Sequence, residues 1–165
     1  MTYRAIGTIG PDLSSIDTVA KFRVGQEVEA FDDVLQIQGT FVYLPGVAAT
    51  AVGTLVDYSL VGTPVTAISP ATGGNGQIAV SLTANILAAN FAWYQVRGLA
   101  AVKAPNAMVV GAEVWMLAAT PGSVDDAVVA GEQVLNAKVG TTTGTPAAGL
   151  AYVQIDKPFH QGGIT

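Results

Sequence analysis

Cysteine is absent from this sequence, which excludes a disulfide scaffold and any thiolate metal site. Histidine occurs once, at His160, too few for a zinc site built from protein ligands alone. Cations are scarce: seven Lys and Arg stand against twelve Asp and Glu, for a net charge of −5. Binding DNA or RNA draws on clustered cations that neutralise phosphates, so no nucleic-acid partner is expected. Charge of either sign is low, at 12% of residues, where a soluble domain has about a quarter. Long apolar runs are missing as well. The best span candidate, "GQIAVSLTANILAANFAWYQVRG", is interrupted by Ser81, Thr83, Asn85 and Asn90, so no membrane partner is expected. The first residues, "MTYRAIGTIGPDLSSIDTVAKF", lack the apolar core of a signal peptide.

Hydrophobic residues make up 50% of the chain, and 19 Gly and 8 Pro punctuate them. Short apolar runs follow one another: "GTFVYL", "TAVGTLVDYSL", "QIAVSL", "WYQVRGLAAVKA", "EVWMLA", "EQVLNAKVG" and "LAYVQIDKPF". In several of them alternation assigns faces. Val56 and Tyr58 oppose Asp57 and Ser59, and Ala151, Val153 and Ile155 oppose Tyr152, Gln154 and Asp156. Period two bounded by Gly and Pro predicts strands, and many short strands predict an all-β fold, a compact β-sandwich or β-barrel. "LTANILAAN" and "SVDDAVVAGEQ", the latter capped by Ser123, predict at most a turn or two of helix each. Residues 1–20 show neither period and predict an extended N-terminal arm, leaving 21–165 as one β-rich domain.

Two local patterns stand out. "GAEVWMLA" places Val114 and Met116 on one face and Trp115 and Leu117 on the other. One apolar face belongs to the domain's own core, and the other is expected to meet a neighbouring subunit or a covering loop. "VGQEV", "VGAEV" and "AGEQV" recur at Val24, Val110 and Ala130. In each, Gly supplies a tight bend and a polar pair precedes a Val that opens an apolar run.

The inventory for catalysis is thin, and no enzyme is expected. His160 lies near the C-terminus and reads as an exposed terminal residue; a Ser-His-Asp arrangement would require it to fold back beside a buried Ser. The carboxylate pairs Asp32-Asp33 and Asp125-Asp126 occupy turn-like contexts, where Asp bonds backbone N–H groups. A Ca²⁺ or Mg²⁺ site from Asp125, Asp126 and Glu132 lacks the oxygen spacing of an EF-hand; neither cofactor nor metal is expected. The aromatics Trp93, Tyr94 and Trp115 suit a β core or a protein interface.

"GTFVYLPGVAATAVGTLVDYSL" begins a series of runs continued by "AWYQVRG", "TPGSVDDAVVAGEQV" and "AYVQIDKPF". Together they resemble the head decoration, or cement, proteins of tailed bacteriophages from Gly39 to Phe159; the residues before Gly39 carry no such run. The matching strings are turn and strand residues rather than chemical signatures. The resemblance implies a β-rich virion protein, made in the host cytoplasm and carried on the capsid surface. It also implies a homotrimer that binds between subunits of the major capsid protein and stabilises the shell. Partner contacts are then expected from Arg4, Lys21 and Arg23 and from Trp93, Tyr94 and Trp115. A carbohydrate-binding or fibre-type module using exposed aromatics is the alternative expectation.

Overall fold

The computed structural model describes the backbone of residues 3–5 and residues 10–33, 35–74, 76–84 and 87–162. Among them there is no helix, and every strand pairing is antiparallel. The strands are β1 (Tyr3–Ala5), β2 (Ile16–Asp17), β3 (Glu27–Asp32), β4 (Ile37–Pro45), β5 (Leu55–Ser59) and β6 (Val65–Ile68). They continue with β7 (Gln77–Ser81), β8 (Phe91–Lys103), β9 (Glu113–Met116), β10 (Val124–Asp125), β11 (Gln133–Val139) and β12 (Leu150–His160). The all-β expectation holds. The two short helices do not form: Val124–Asp125 is a strand, and the described part of 82–90 is bends and turns.

One sheet runs β1-β3-β4-β8-β7-β12-β11-β9-β10, with β5 and β6 continuing from β7. The long strand β8 organises it. Its first half pairs with β4 and β7, and from Arg97 onward it pairs with β12. Gly98 makes the handover possible. Its φ is +98°, and a Cβ there would lie 2.5 Å from the Gln38 carbonyl oxygen, so no larger residue fits where β4 crosses.

Beyond Gly98 the sheet closes on itself. Lys103 N–H donates to Gly53 O (2.8 Å), Leu55 N–H to Gly122 O (3.0 Å) and Gly122 N–H to Ser69 O (2.8 Å). These bonds join β5 to β8 on one side and to the β10 entry on the other. The ring encloses a core that includes Ile78, Val80, Val102, Val114, Met116, Val134, Val153 and Ile155. The other half of the sheet curls so that β6 approaches β4. A second core, with Val42, Leu44, Val56, Tyr58 and Tyr94, lies on one of its faces. On the opposite face Leu13, Phe41, Tyr43 and Trp93 form a third core with Phe22 and Phe91. Tyr43 and Trp93 have ring centroids 5.0 Å apart, and Phe22 meets Tyr43 edge-on at 5.3 Å.

Strands β4 and β8 are therefore apolar on both faces because the chain itself covers both. The low charge content follows from the same two-sided burial. In β9 the expected alternation appears, with Val114 and Met116 buried and Trp115 half-buried; Leu117, just past its end, is half-buried too. The arm expected over residues 1–20 is a strand at Tyr3–Ala5, beside β3, while residues 1, 2 and 6–9 lie outside the described residues. Residues 10–20 pack on the domain rather than extending from it. Leu13 is buried, β2 pairs with β8, and the buried Asp17 carboxylate accepts a 2.8 Å bond from the Tyr43 hydroxyl.

The three recurring pentapeptides are one turn used three times. Gln26 N–H donates to Arg23 O, Ala112 N–H to Val109 O and Glu132 N–H to Val129 O. The third residue of each turn is Gly25, Gly111 or Gly131, with φ of 84°, 84° and 79°. A type II turn reserves that position and that conformation for glycine. Each turn leads directly into β3, β9 or β11.

Candidate functional site

Polar chemistry inside the protein gathers at the seam where β12 ends. His160 N–H donates to Gly76 O (3.0 Å), and Gln161 N–H to Gln133 O (2.9 Å). The last residue of β12 is thereby stitched between the segment before β7 and the start of β11. The His160 ring is buried, contrary to the expected exposed terminal residue, because β12 continues inward to its last residue. Its Nε2 lies 2.8 Å from Glu132 Oε2, a close contact without the alignment of a hydrogen bond. Its Nδ1 lies 4.0 Å from Asp57 Oδ2. Glu132 Oε1 accepts from Gly73 N–H at 2.8 Å, and the Ser69 hydroxyl donates to Asp57 Oδ1 at 2.5 Å. Burial pushes the Asp57 carboxyl above its usual range, against the opposing effects of Ser69 and His160.

Serine, histidine and carboxylates thus meet in space, but not as a nucleophile-base-orienter chain. The Ser69 hydroxyl donates its hydrogen bond to Asp57 and not to His160, whereas nucleophilic activation needs a serine-imidazole bond. The arrangement does structural work by clasping four chain segments. Only its position near the chain end could be read from the sequence; its partners come from residues up to 103 positions away, counting from 57 to 160.

The acidic pairs are used in turns. Asp32 Oδ1 accepts from Leu35 N–H (3.0 Å), and Asp126 Oδ2 from Val109 N–H (2.7 Å). Asp125 accepts from Asn106 Nδ2 (2.6 Å) and from Asp126 N–H (2.8 Å). Burial of Asp125 opposes ionisation, yet these bonds outweigh it and hold the carboxyl below its usual range. Glu132 is committed to Gly73 and His160 and does not join them. Among the described residues no group of three His, Asp or Glu side chains is placed to hold a metal ion, and no helix is long and apolar enough to cross a membrane.

The six residues expected at a partner surface separate sharply. Trp93 and Tyr94 are fully buried in the third and second cores, so neither can meet a partner or a sugar. They point to opposite faces of β8, and both faces are covered. Trp115 is half-buried on β9, opposite Asp125 and Gln133. Arg4 lies in β1 opposite Phe31, and its side chain is outside the described residues. Lys21 is engaged with the buried Asp17 at 2.5 Å. Of these six, Arg23 alone is a described cation without an ion-pair partner.

Val19, Val52, Leu87 and Phe159 are exposed singly, and the recurring turn builds two further exposed apolar surfaces. The turn Arg23–Gln26 forms one wall of an open cleft of about 540 Å³. Leu60, Gly62 and Pro64, at the tip of the β5–β6 hairpin, form the other. The walls touch where Leu60 Cδ1 packs on Gly25, 2.9 Å from the position of a Cβ. Val61 stands 89% exposed at the hairpin tip, followed by Val65 at 59%. The second surface is where the turn Val109–Ala112 meets the loop after β10, pinned by the Asp126–Val109 bond. There Val109, Val110 and Val128 are exposed. Sequence reading missed both surfaces, since an exposed valine in a loop looks like any other valine. Among known proteins, no family model, no curated protein and no solved structure matches this chain.

Proposed function

We propose that this protein is a structural component of a phage particle, a head decoration protein of the kind its sequence resembles. In this reading it binds on the outer capsid surface between major capsid protein subunits, as a homotrimer, and stabilises the shell. The observation that supports the reading best is the exposure of Val61 and Val128, at 89% and 75%. Exposed apolar side chains suit docking, because association removes their surface from water. Fully burying one valine stabilises a contact by about 1.5–3 kcal/mol. Many copies on a lattice turn such modest contacts into firm attachment.

The fibre or sugar-binding alternative drew on exposed aromatics; with Trp93 and Tyr94 buried, only the half-buried Trp115 of the three is left to it. The test is sedimentation and imaging of expanded phage shells with and without the purified protein. Co-sedimentation, added density on the outer surface and shells that survive higher temperature are expected. Shells that neither bind the protein nor gain stability would refute the reading.

A further inference from the structure

The outward faces of six neighbouring strands carry a row of hydrogen-bonding side chains that neither the cores nor the clasp use. Strand register sets Glu29 opposite Thr40, Thr40 opposite Arg97 and Arg97 opposite Asp156. It also sets Gln154 opposite Lys138 and Lys138 opposite Glu113. Two shallow clefts lie along this row. One, of about 280 Å³, is lined by Glu29, Gln38, Thr40, Arg97, Gly98 and Gln154. The second, of about 310 Å³, runs past Gln154 and Asp156 to Asn136, Lys138 and Glu113, with Ala137 and Ile155 adding apolar surface. Gln154 borders both, and the Arg97–Asp156 ion pair, at 3.3 Å, joins one to the other. Five gaps between six strands, at about 4.8 Å each, give a groove about 24 Å long.

Irregular backbone shapes this groove. Gly98, with φ of 98°, lies beside the register shift between β4 and β8. Asn136, with φ of 60°, sits in the shift between β11 and β12, and Lys157, with φ of 47°, lies across from it on β12. Bulges re-aim side chains. A positive φ is uncommon for lysine, and such positions gather at functional sites.

The lining selects a ligand class. Strands β4, β8, β12 and β11 each have a partner on both sides, so a peptide cannot join here as a further strand. The two cations of the lining are each paired, Arg97 with Asp156 and Lys138 with Glu113, which disfavours a phosphate or sulfate. Amides both donate and accept, carboxylates accept, and guanidinium and ammonium groups donate. A chain of hydroxyl groups, each a donor and an acceptor, matches that mixture. Trp115 is half-buried on the same face of β9 as Glu113. It stands opposite Gln133, whose amide donates to Glu113 at 3.3 Å. Its ring offers the end of the groove a flat apolar surface for the C–H face of a sugar.

We propose that this groove binds an uncharged oligosaccharide, laid across β4, β8, β12 and β11 with Gln154 at the centre and Trp115 at one end. The site is defined by side chains on the outer sheet face and does not depend on the capsid reading.

The test is a nuclear magnetic resonance titration of the full, isotope-labelled chain with cellohexaose, maltohexaose and a hexamer of N-acetylglucosamine in turn. At least one sugar is expected to produce saturable shifts at residues 97–99, 136–138 and 154–156, with the Arg23 cleft unmoved. Gln154→Leu keeps the side chain's size and removes its amide. Gln154 is exposed, so circular dichroism should show an unchanged fold, while sugar affinity falls about three- to tenfold. No saturable shift with any of the three sugars, shifts confined to other faces, or wild-type sugar affinity in Gln154→Leu would each overturn the proposal. Hexalysine is the counter-probe: if it alone moves the groove resonances, the carboxylates serve a basic protein partner and the proposal fails. Shell binding measured on the same samples separates the two readings. Sugar binding without shell binding refutes the decoration role and leaves the groove, and shell binding without sugar binding refutes the groove alone.

Discussion

Replacing Gly74 by alanine probes the buried clasp most directly. The Cβ would lie 1.7 Å from His160 Nδ1, 2.3 Å from Cε1 and 2.7 Å from Cγ. No rearrangement of a methyl group relieves overlap with three ring atoms, so the imidazole has to leave. Gly74 does not have the positive φ of its neighbour Gly73 at 75°, and alanine's backbone preference adds no strain of its own. The cost is then the loss of the imidazole from Glu132, whose buried carboxylate keeps only the Gly73 N–H. Leaving a buried polar group without its partner costs about 1–3 kcal/mol. That is a sizeable share of a total stability of about 5–15 kcal/mol. At about 2–4 °C per kcal/mol for a chain of this size, Tm falls by roughly 2–12 °C.

Thermal and urea unfolding followed by circular dichroism measures the loss. The informative control is the same change in a His160→Ala background, where the methyl has room and costs less than about 1 kcal/mol. A Gly74→Ala protein within about 0.5 kcal/mol of wild type would refute the reasoning. So would an equal loss in both backgrounds, which would place the damage outside the ring contact.

Asp57 carries a carboxyl pKa raised mainly by burial, so the folded state binds its proton more tightly than the unfolded chain. Its contribution to stability is complete below the ordinary aspartate value of 3.8 and is lost as pH rises through the raised folded value. Asp57→Asn should abolish that loss while keeping an acceptor for Ser69; an unchanged fall in urea midpoint over this window in the variant would contradict it. Asp17 has the opposite sign. Burial opposes its ionisation, but bonds from Lys21 and Tyr43 prevail and lower its pKa, so its contribution is present above 3.8 and lost as pH falls through the lowered value. Asp17→Ala should cost about 1–3 kcal/mol by stranding the Tyr43 hydroxyl and should speed hydrogen exchange over residues 10–20; unaltered exchange there would show that the segment is held otherwise. Trp93→Ala should destabilise by about 3–5 kcal/mol, and Trp93→Phe should remove the blue-shifted emission while leaving that of the half-buried Trp115. Emission from Trp93 that is readily quenched in the folded chain would deny its burial.

Strand faces were legible because a pleated chain alternates its side chains whatever it packs against. Ile78 and Val80, Val114 and Met116, and Val153 and Ile155 all face the core that alternation assigns them. The glycine turns were legible for a similar reason: a glycine followed by a polar pair and a Val reports a local backbone need. Strands β2 and β6 escaped notice because they are short or weakly alternating; β2 has two residues and β6 has no buried one. The fate of Trp93 and Tyr94 was illegible, since a strand covered on both faces by its own chain and one covered by a neighbour have the same sequence.

Local preference alone determined that this chain is all-β, where its turns fall and which way most strands face, because period two and positive-φ glycine act within a few residues. Tertiary structure decided that β8 hands over from β4 to β12 at Gly98, that the sheet curls in two directions, and that the one histidine is buried between Glu132 and Asp57. Those outcomes depend on contacts between residues far apart in the chain, where the free energy comes from burial and hydrogen-bond closure that no short window of sequence contains.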